Sequence, residues 1–105
     1  MDFESYLKQQ KLAKSTIQRY LSWEKEFILF FSIEIFSIEK IKSLTYNDLL
    51  SYIKTKEENQ LTRSTLVHIL NRIQHYYNYL EVENPFADFK LKGYEMPIKP
   101  QMGAI

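Results

Sequence analysis

The first 84 residues contain neither glycine nor proline, the two residues that most often interrupt regular structure. All five of these residues lie nearer the C-terminus, at Pro85, Gly93, Pro97, Pro100 and Gly103. An all-β fold of this length needs many turns, and turns usually recruit glycine or proline. The sequence therefore predicts an all-α fold.

Apolar residues recur at helical spacing in four segments, which predicts a compact bundle of four main helices. These helices cover about residues 3–10, 14–31, 45–58 and 63–82. Thr45 and Asp48 place a hydroxyl and a carboxylate three residues apart at the start of the third predicted helix, which is typical of a capping box. The apolar residues of 32–44 are irregularly spaced, so an irregular connection, a short helical turn and a β-strand over 33–36 all stay open.

The composition changes at Asn84-Pro85, where a helix is expected to end. We expect one domain in residues 1–90 and a linker or tail in residues 91–105. No secretory signal and no apolar run of about 20 residues is visible, so we expect a cytoplasmic protein with no membrane partner. The absence of cysteine excludes disulfides, thiolate metal sites and a cysteine nucleophile.

Little in the chain suggests catalysis or metal binding. His68 and His75 could share a helix face, but no acidic residue or cysteine stands near them in sequence to complete a metal site. The acidic pair Glu57 and Glu58 lies in a run that is typical of a solvated surface. The sequence has no glycine-rich phosphate loop and no nucleophile elbow. We therefore expect no metal, no cofactor and no catalytic residue.

Two segments share the pattern apolar, small, basic, Ser, Thr, apolar. They are residues 12–17 (LAKSTI) and 61–66 (LTRSTL), and they open the second and fourth predicted helices. Each brings two hydroxyls and a long cation to the free N–H groups of a helix N-terminus, a combination that can bind phosphate. Ordinary helix capping by Ser and Thr is the alternative, and both interpretations stay open.

Positive charge is concentrated in the parts of the chain that contain these two segments, although the net charge is only +1. Residues 1–22 hold four basic and two acidic residues, and residues 61–80 hold two arginines and no acid. Residues 23–60 and 81–105 carry net charges of −2 and −1. This asymmetry favours an anionic partner.

The fourth predicted helix has a polar side without carboxylates. Its residues are three, four or seven apart and share one side: Ser64, His68, Asn71, Arg72, His75 and Asn78. Arg, Asn and His side chains donate hydrogen bonds to phosphates and base edges. A solvated helix face usually mixes Glu with Lys, so we interpret this side as a nucleic-acid surface.

Taken in order, the motifs resemble a known family. Leu-x-x-x-Thr-Ile-x-x-Tyr occupies residues 12–20, Leu-Thr-x-x-Asp-Leu-x-x-Tyr occupies 44–52, and Leu-Thr-x-x-Thr-Leu occupies 61–66. A tyrosine-rich helix end and Asn84-Pro85 follow. Together they resemble the N-terminal core-binding domain of tyrosine recombinases, the phage-type integrases and Xer-like enzymes, which is often called SAM-like. The resemblance covers about residues 3–90.

The resemblance implies a DNA-binding module that clamps duplex DNA through its second and fourth helices for DNA integration and recombination. By position it implies these DNA-binding residues: Lys14, Ser15, Thr16, Arg19, Arg63, Ser64, Thr65, His68 and Arg72. The implied partners are double-stranded DNA, the protein's own C-terminal catalytic domain and neighbouring recombinase protomers on DNA. The family's catalytic residues belong to that C-terminal domain, so we expect no enzyme activity from this chain.

Two points stay open. The family often has Ser or Thr just before the second helix, where this chain has Ala13, so Ser15 is an alternative cap that would shift the helix start. The alternative functions are a helical protein–protein interaction domain, which would use exposed aromatics such as Trp23 and Phe30, and a stand-alone non-catalytic DNA-binding regulator.

Overall fold

The structure, a computed structural model, describes residues 2–31, 38–59, 61–91 and 94. Within these residues the chain forms five helices and no strand, which confirms the all-α prediction. The helices are α1 (Phe3–Gln9), α2 (Lys14–Phe31), α3 (Ile38–Lys42), α4 (Tyr46–Glu58) and α5 (Arg63–Leu80). The four predicted helices correspond to α1, α2, α4 and α5.

The connection between α2 and α4 contains a short helical turn, which was one of the alternatives left open. This turn is α3, which is five residues long. Its Ile41 is fully buried, so the turn is fixed to the core by an apolar side chain. The alternative strand at 33–36 lies outside the described residues.

Side-chain caps account for the starts of α4 and α5. At α4 the Asp48 N–H donates to the Thr45 hydroxyl at 3.2 Å, and the Thr45 N–H donates to the Asp48 carboxylate at 2.8 Å. This reciprocal pair confirms the predicted capping box. At α5 the Thr65 N–H donates to the Thr62 hydroxyl at 3.1 Å.

Helix α5 ends at Leu80, two residues before the predicted end, because the backbone reverses at Glu81. Glu81 has φ 59°, in the left-handed region, and the N–H of Val82 bonds back to the carbonyl of Tyr77 at 3.3 Å. For a residue other than glycine this conformation costs roughly 1–2 kcal/mol. Val82 consequently lies outside the helix that the apolar spacing assigned to it.

Aromatic side chains form much of the core, and two buried hydrogen bonds from them join neighbouring helices. The Trp23 indole N–H donates to the Tyr52 hydroxyl at 3.0 Å and so joins α2 to α4. The Tyr77 hydroxyl donates to the Ile41 carbonyl at 2.7 Å and so joins α5 to α3. Buried tyrosine and tryptophan usually find such partners for their polar ends.

Trp23 is 5% exposed, so the expectation that it forms an exposed partner-binding aromatic is wrong. The reason is its hydrogen bond to Tyr52 and its stacking on Phe27, with ring centroids 4.8 Å apart. Phe30 does remain 39% exposed, and its neighbour Leu29 is 73% exposed. In the part of the chain that the structure describes, no helix has the length and apolar character needed to cross a membrane.

Candidate nucleic-acid interface

A cleft of about 730 Å³ lies between α2, α4 and α5. Helix α2 contributes Ser15 and Arg19 to its walls, and α5 contributes Thr65 and Arg72. Each pair is four or seven residues apart and therefore lies on one side of its helix. The structure thus brings predicted binding residues from both copies of the repeated motif to one space.

The cleft carries an excess of positive charge. Its charged lining residues are Arg19, Arg72, Lys56 and Glu26. The carboxylate among them, Glu26, forms an ion pair with Lys56 across α2 and α4. Because these two charges offset each other, the cations left without an opposing charge in the lining are the two arginines.

Arg72 is half-buried and stacked on an aromatic ring of the neighbouring helix. Its guanidinium carbon lies 5.7 Å from the centroid of the Tyr20 ring, a cation–π geometry. Its Nε atom is buried and has no hydrogen-bond partner among the described residues. The ring restrains the side chain at the wall of the cleft, which lowers the entropy lost when an anion binds there.

The polar side of α5 is exposed at most of its residues and half-buried at two of them. Four of its six residues, Ser64, His68, Asn71 and Asn78, are exposed, whereas Arg72 and His75 are half-buried. The His75 ring lies 6.2 Å from the Tyr6 ring and 5.7 Å from the Tyr20 ring. Rings of α1 and α2 therefore cover His75, while Asn78, three residues further along α5, remains exposed.

Arg63 contacts the chain that follows α5 and does not line the cleft. Its two terminal nitrogens donate to the carbonyls of Leu91 and Tyr94, at 2.8 and 3.2 Å. Within the same motif, the Thr62 hydroxyl donates to the Thr65 hydroxyl at 2.9 Å. Ordinary capping therefore accounts for the Thr62–Thr65 part of this helix start.

The remaining predicted residues of the first motif are separated from the cleft. Lys14 lines a smaller hollow of about 430 Å³ on the side of α1, where Lys8 and Glu4 form an ion pair. Thr16 is half-buried. Helix α2 begins at Lys14, with the Ile17 N–H bonded to the Ala13 carbonyl at 2.9 Å, so the alternative start at Ser15 is wrong.

Residues 1–84 match the family model described as the phage integrase N-terminal SAM-like domain. The chain belongs to this family. Comparison with curated proteins and with solved structures found no significant match. The family match confirms the resemblance and the SAM-like all-α fold. It also identifies the matched residues as the non-catalytic N-terminal module of a tyrosine recombinase or integrase.

The integrase domain also has site residues that sequence reasoning missed. Lys56 lies in none of the motifs, and Tyr20 entered only as the last residue of the first motif, yet Lys56 neutralises Glu26 and Tyr20 supports Arg72. Lys56 follows Tyr52 by one helical turn, and its ammonium lies 5.6 Å from the centroid of that ring. Burial lowers the pKa of Lys56. An i,i+4 Tyr–Lys pair on an amphipathic helix was the available signal, but it does not show which helix lies opposite.

The integrase domain also buries a carboxylate that the sequence suggested was solvated. Glu57 is 5% exposed, whereas its neighbour Glu58 is exposed. The Tyr94 hydroxyl donates a hydrogen bond to the Glu57 carboxylate. The prediction for Glu57 is wrong because a residue 37 positions away covers it.

Proposed function

We propose that this integrase SAM-like domain binds duplex DNA with the sides of α2 and α5 that face the cleft. The observation that carries the proposal is the meeting of Arg19 and Arg72, from two helices, at one cleft whose lining carboxylate is ion-paired. A guanidinium presents a planar fork of N–H donors that matches phosphate oxygens. Membership in an integrase family supports DNA as the source of those phosphates.

The cleft hydroxyls complete a phosphate-binding set. Ser15 and Thr65 lie on the two walls beside Arg19 and Arg72. Hydroxyl and guanidinium donors together fix the register of a protein on the DNA backbone without reading its sequence. Binding should therefore be strongly salt-dependent and largely non-specific when the domain acts alone. With three to five phosphates neutralised, log K should fall against log salt with a slope of about −3 to −5.

For sequence-specific recognition of DNA bases, the proposed element is the exposed part of α5 beside the cleft. Ser64 and His68 are exposed there, one helical turn apart and N-terminal to Arg72. A His side chain on an exposed helix face can hydrogen-bond to base edges in the major groove. Lys14 and Arg63 stand outside the cleft, and their proposed role is contact with flanking phosphates.

The proposed role in integration also implies further domains and partners around this domain. We propose that residues 1–90 are the DNA-binding unit and that residues 91–105 lead to the catalytic domain of a recombinase acting in the cytoplasm. Neighbouring protomers on the same DNA are the further proposed partners. The family description, which names an N-terminal domain of integrases, supports this organisation.

Fluorescence anisotropy with a labelled duplex of about 20 base pairs tests the proposal. We expect Arg19→Ala and Arg72→Ala each to weaken binding and to lower the salt slope by about one. The matched control is Lys25→Ala, which removes an exposed cation of α2 that does not line the cleft. If all three variants bind alike, the cleft is not the DNA-binding surface.

A second candidate function, a protein–protein contact, rests on the exposed end of α2. Leu29 and Phe30 are 73% and 39% exposed, which is unusual for adjacent large apolar residues in a small domain. Sedimentation velocity over a range of concentrations tests this candidate. Self-association that Leu29→Ser abolishes, together with unchanged anisotropy of the labelled duplex on adding the domain, would favour the contact function over DNA binding.

A further inference from the structure

The chain after α5 folds back toward the start of that helix. Phe86 is 3% exposed, and its ring centroid lies 4.9 Å from that of Tyr46 and 4.5 Å from that of Phe89. The ring of Phe89 in turn lies 5.0 Å from the ring of Tyr94. These contacts carry the chain from the end of α5 at Leu80 to its N-terminus.

Three side-chain hydrogen bonds hold this returning chain at Leu91 and Tyr94. Arg63 donates through one terminal nitrogen to the Leu91 carbonyl at 2.8 Å and through the other to the Tyr94 carbonyl at 3.2 Å. The Tyr94 hydroxyl donates to the buried carboxylate of Glu57. Burial and the Glu57 carboxylate raise the pKa of Tyr94 to about 12, so the hydroxyl keeps its proton at neutral pH.

Arg63 thereby takes part both in the docking of the returning chain and in the proposed DNA contact. It is the cation of the second copy of the repeated motif, at the N-terminus of α5, the helix that we propose contacts DNA. Its terminal nitrogens form the fork that pairs with phosphate oxygens, and both already donate to backbone carbonyls. The pair of N–H groups that donates to these two carbonyls cannot donate to a phosphate at the same time.

We propose that Leu91 and Tyr94 compete with a DNA phosphate for Arg63, so that DNA binding at the start of α5 releases the chain that follows the domain. This proposal rests on the proposed DNA-binding function. Competition of this kind is reciprocal, because each partner weakens the other by the same factor. The apparent DNA affinity therefore equals the intrinsic affinity multiplied by the fraction of molecules in which Arg63 is free.

The competition predicts opposite effects for two variants that both loosen the docked chain. Tyr94→Phe removes the hydroxyl donor to Glu57 but keeps the ring and Arg63, so we expect DNA affinity to rise about threefold or more. Arg63→Ala removes the shared cation, so we expect DNA affinity to fall. Tyr46→Phe is the matched control, since it makes the same chemical change on another ring of the aromatic cluster, and we expect no change.

Trypsin cleavage after the exposed Lys90 reports docking independently of DNA affinity. Cleavage of a transiently opened segment follows the population of the open form. We expect faster cleavage in Tyr94→Phe and Arg63→Ala than in the wild type. Adding a 20-base-pair duplex should accelerate cleavage of the wild type and leave Arg63→Ala unchanged.

The two assays separate failure of the competition from failure of DNA binding. If Tyr94→Phe leaves affinity unchanged or weakens it, while Arg72→Ala still weakens binding, the competition is wrong and the cleft proposal stands. Protection of Lys90 by duplex would overturn the competition in the same way. If the wild type shows no salt-dependent binding and Arg72→Ala changes nothing, both proposals are overturned.

Discussion

Replacing Arg72 by alanine should change DNA binding and domain stability by different amounts. A hydrogen bond to a charged group contributes about 1.5–3 kcal/mol, so losing one phosphate contact corresponds to roughly a 10- to 150-fold weaker affinity. The stacking of Arg72 on Tyr20, at 5.7 Å, contributes about 0.5–1 kcal/mol to folding. For a domain of this size the melting temperature should fall by about 2–6 °C.

The assay combines anisotropy titrations with thermal unfolding of the same samples, followed by circular dichroism. Arg72→Lys is the informative companion, because it keeps the charge but loses the planar fork and the stacked plane. We expect Arg72→Lys to restore the salt slope and only part of the affinity. If Arg72→Ala remains folded and binds duplex with unchanged affinity and salt slope, Arg72 is not a phosphate ligand.

Three further variants or conditions test the packing and the charge balance. Tyr77→Phe removes the hydroxyl donor to the buried Ile41 carbonyl, which keeps only the longer bond from the Leu44 N–H at 3.4 Å. The free energy of unfolding in urea should therefore fall by about 0.5–1.5 kcal/mol, and an unchanged value would contradict the Tyr77 hydrogen bond. Burial raises the pKa of Tyr52 to about 12, above its ordinary value of 10.0, so its contribution to stability is complete below pH 10 and is lost as the pH rises toward 12. Urea unfolding between pH 9 and 11.5 should show this decline, at up to about 1.4 kcal/mol per pH unit, and Tyr52→Phe should reduce it. Glu26→Gln removes the carboxylate from the cleft and frees Lys56, so anisotropy should show roughly two- to fivefold tighter DNA binding, and weaker binding would contradict the charge balance.

The helices were predictable because their determinants are local. The long stretch without glycine or proline and the 3.6-residue apolar spacing fix the helical segments. The Thr45–Asp48 capping box and the Thr62 cap fix two helix starts through atoms three residues apart. The end of α5 was predicted two residues late because Glu81 takes a left-handed conformation, for which it has no sequence preference.

The environment of the site residues was not predictable, because it depends on distant parts of the chain. Arg63 is engaged by carbonyls 28 and 31 residues away, and Glu57 is covered by Tyr94, 37 residues away. His75 was assigned to an exposed face, but rings from two other helices pack against it. Helical periodicity identifies which residues share a side of a helix, but it does not identify what packs against that side.

Amide chemical-shift mapping of the ¹⁵N-labelled domain with a 20-base-pair duplex shows directly whether the cleft between α2 and α5 contacts DNA. We expect the largest perturbations on Ser15 and Arg19 of α2 and on Thr65 and Arg72 of α5. They should shrink as salt is raised, because phosphate contacts release counterions. Perturbations that cluster instead around Leu29 and Phe30, or that are absent at low salt, would contradict DNA binding by the cleft.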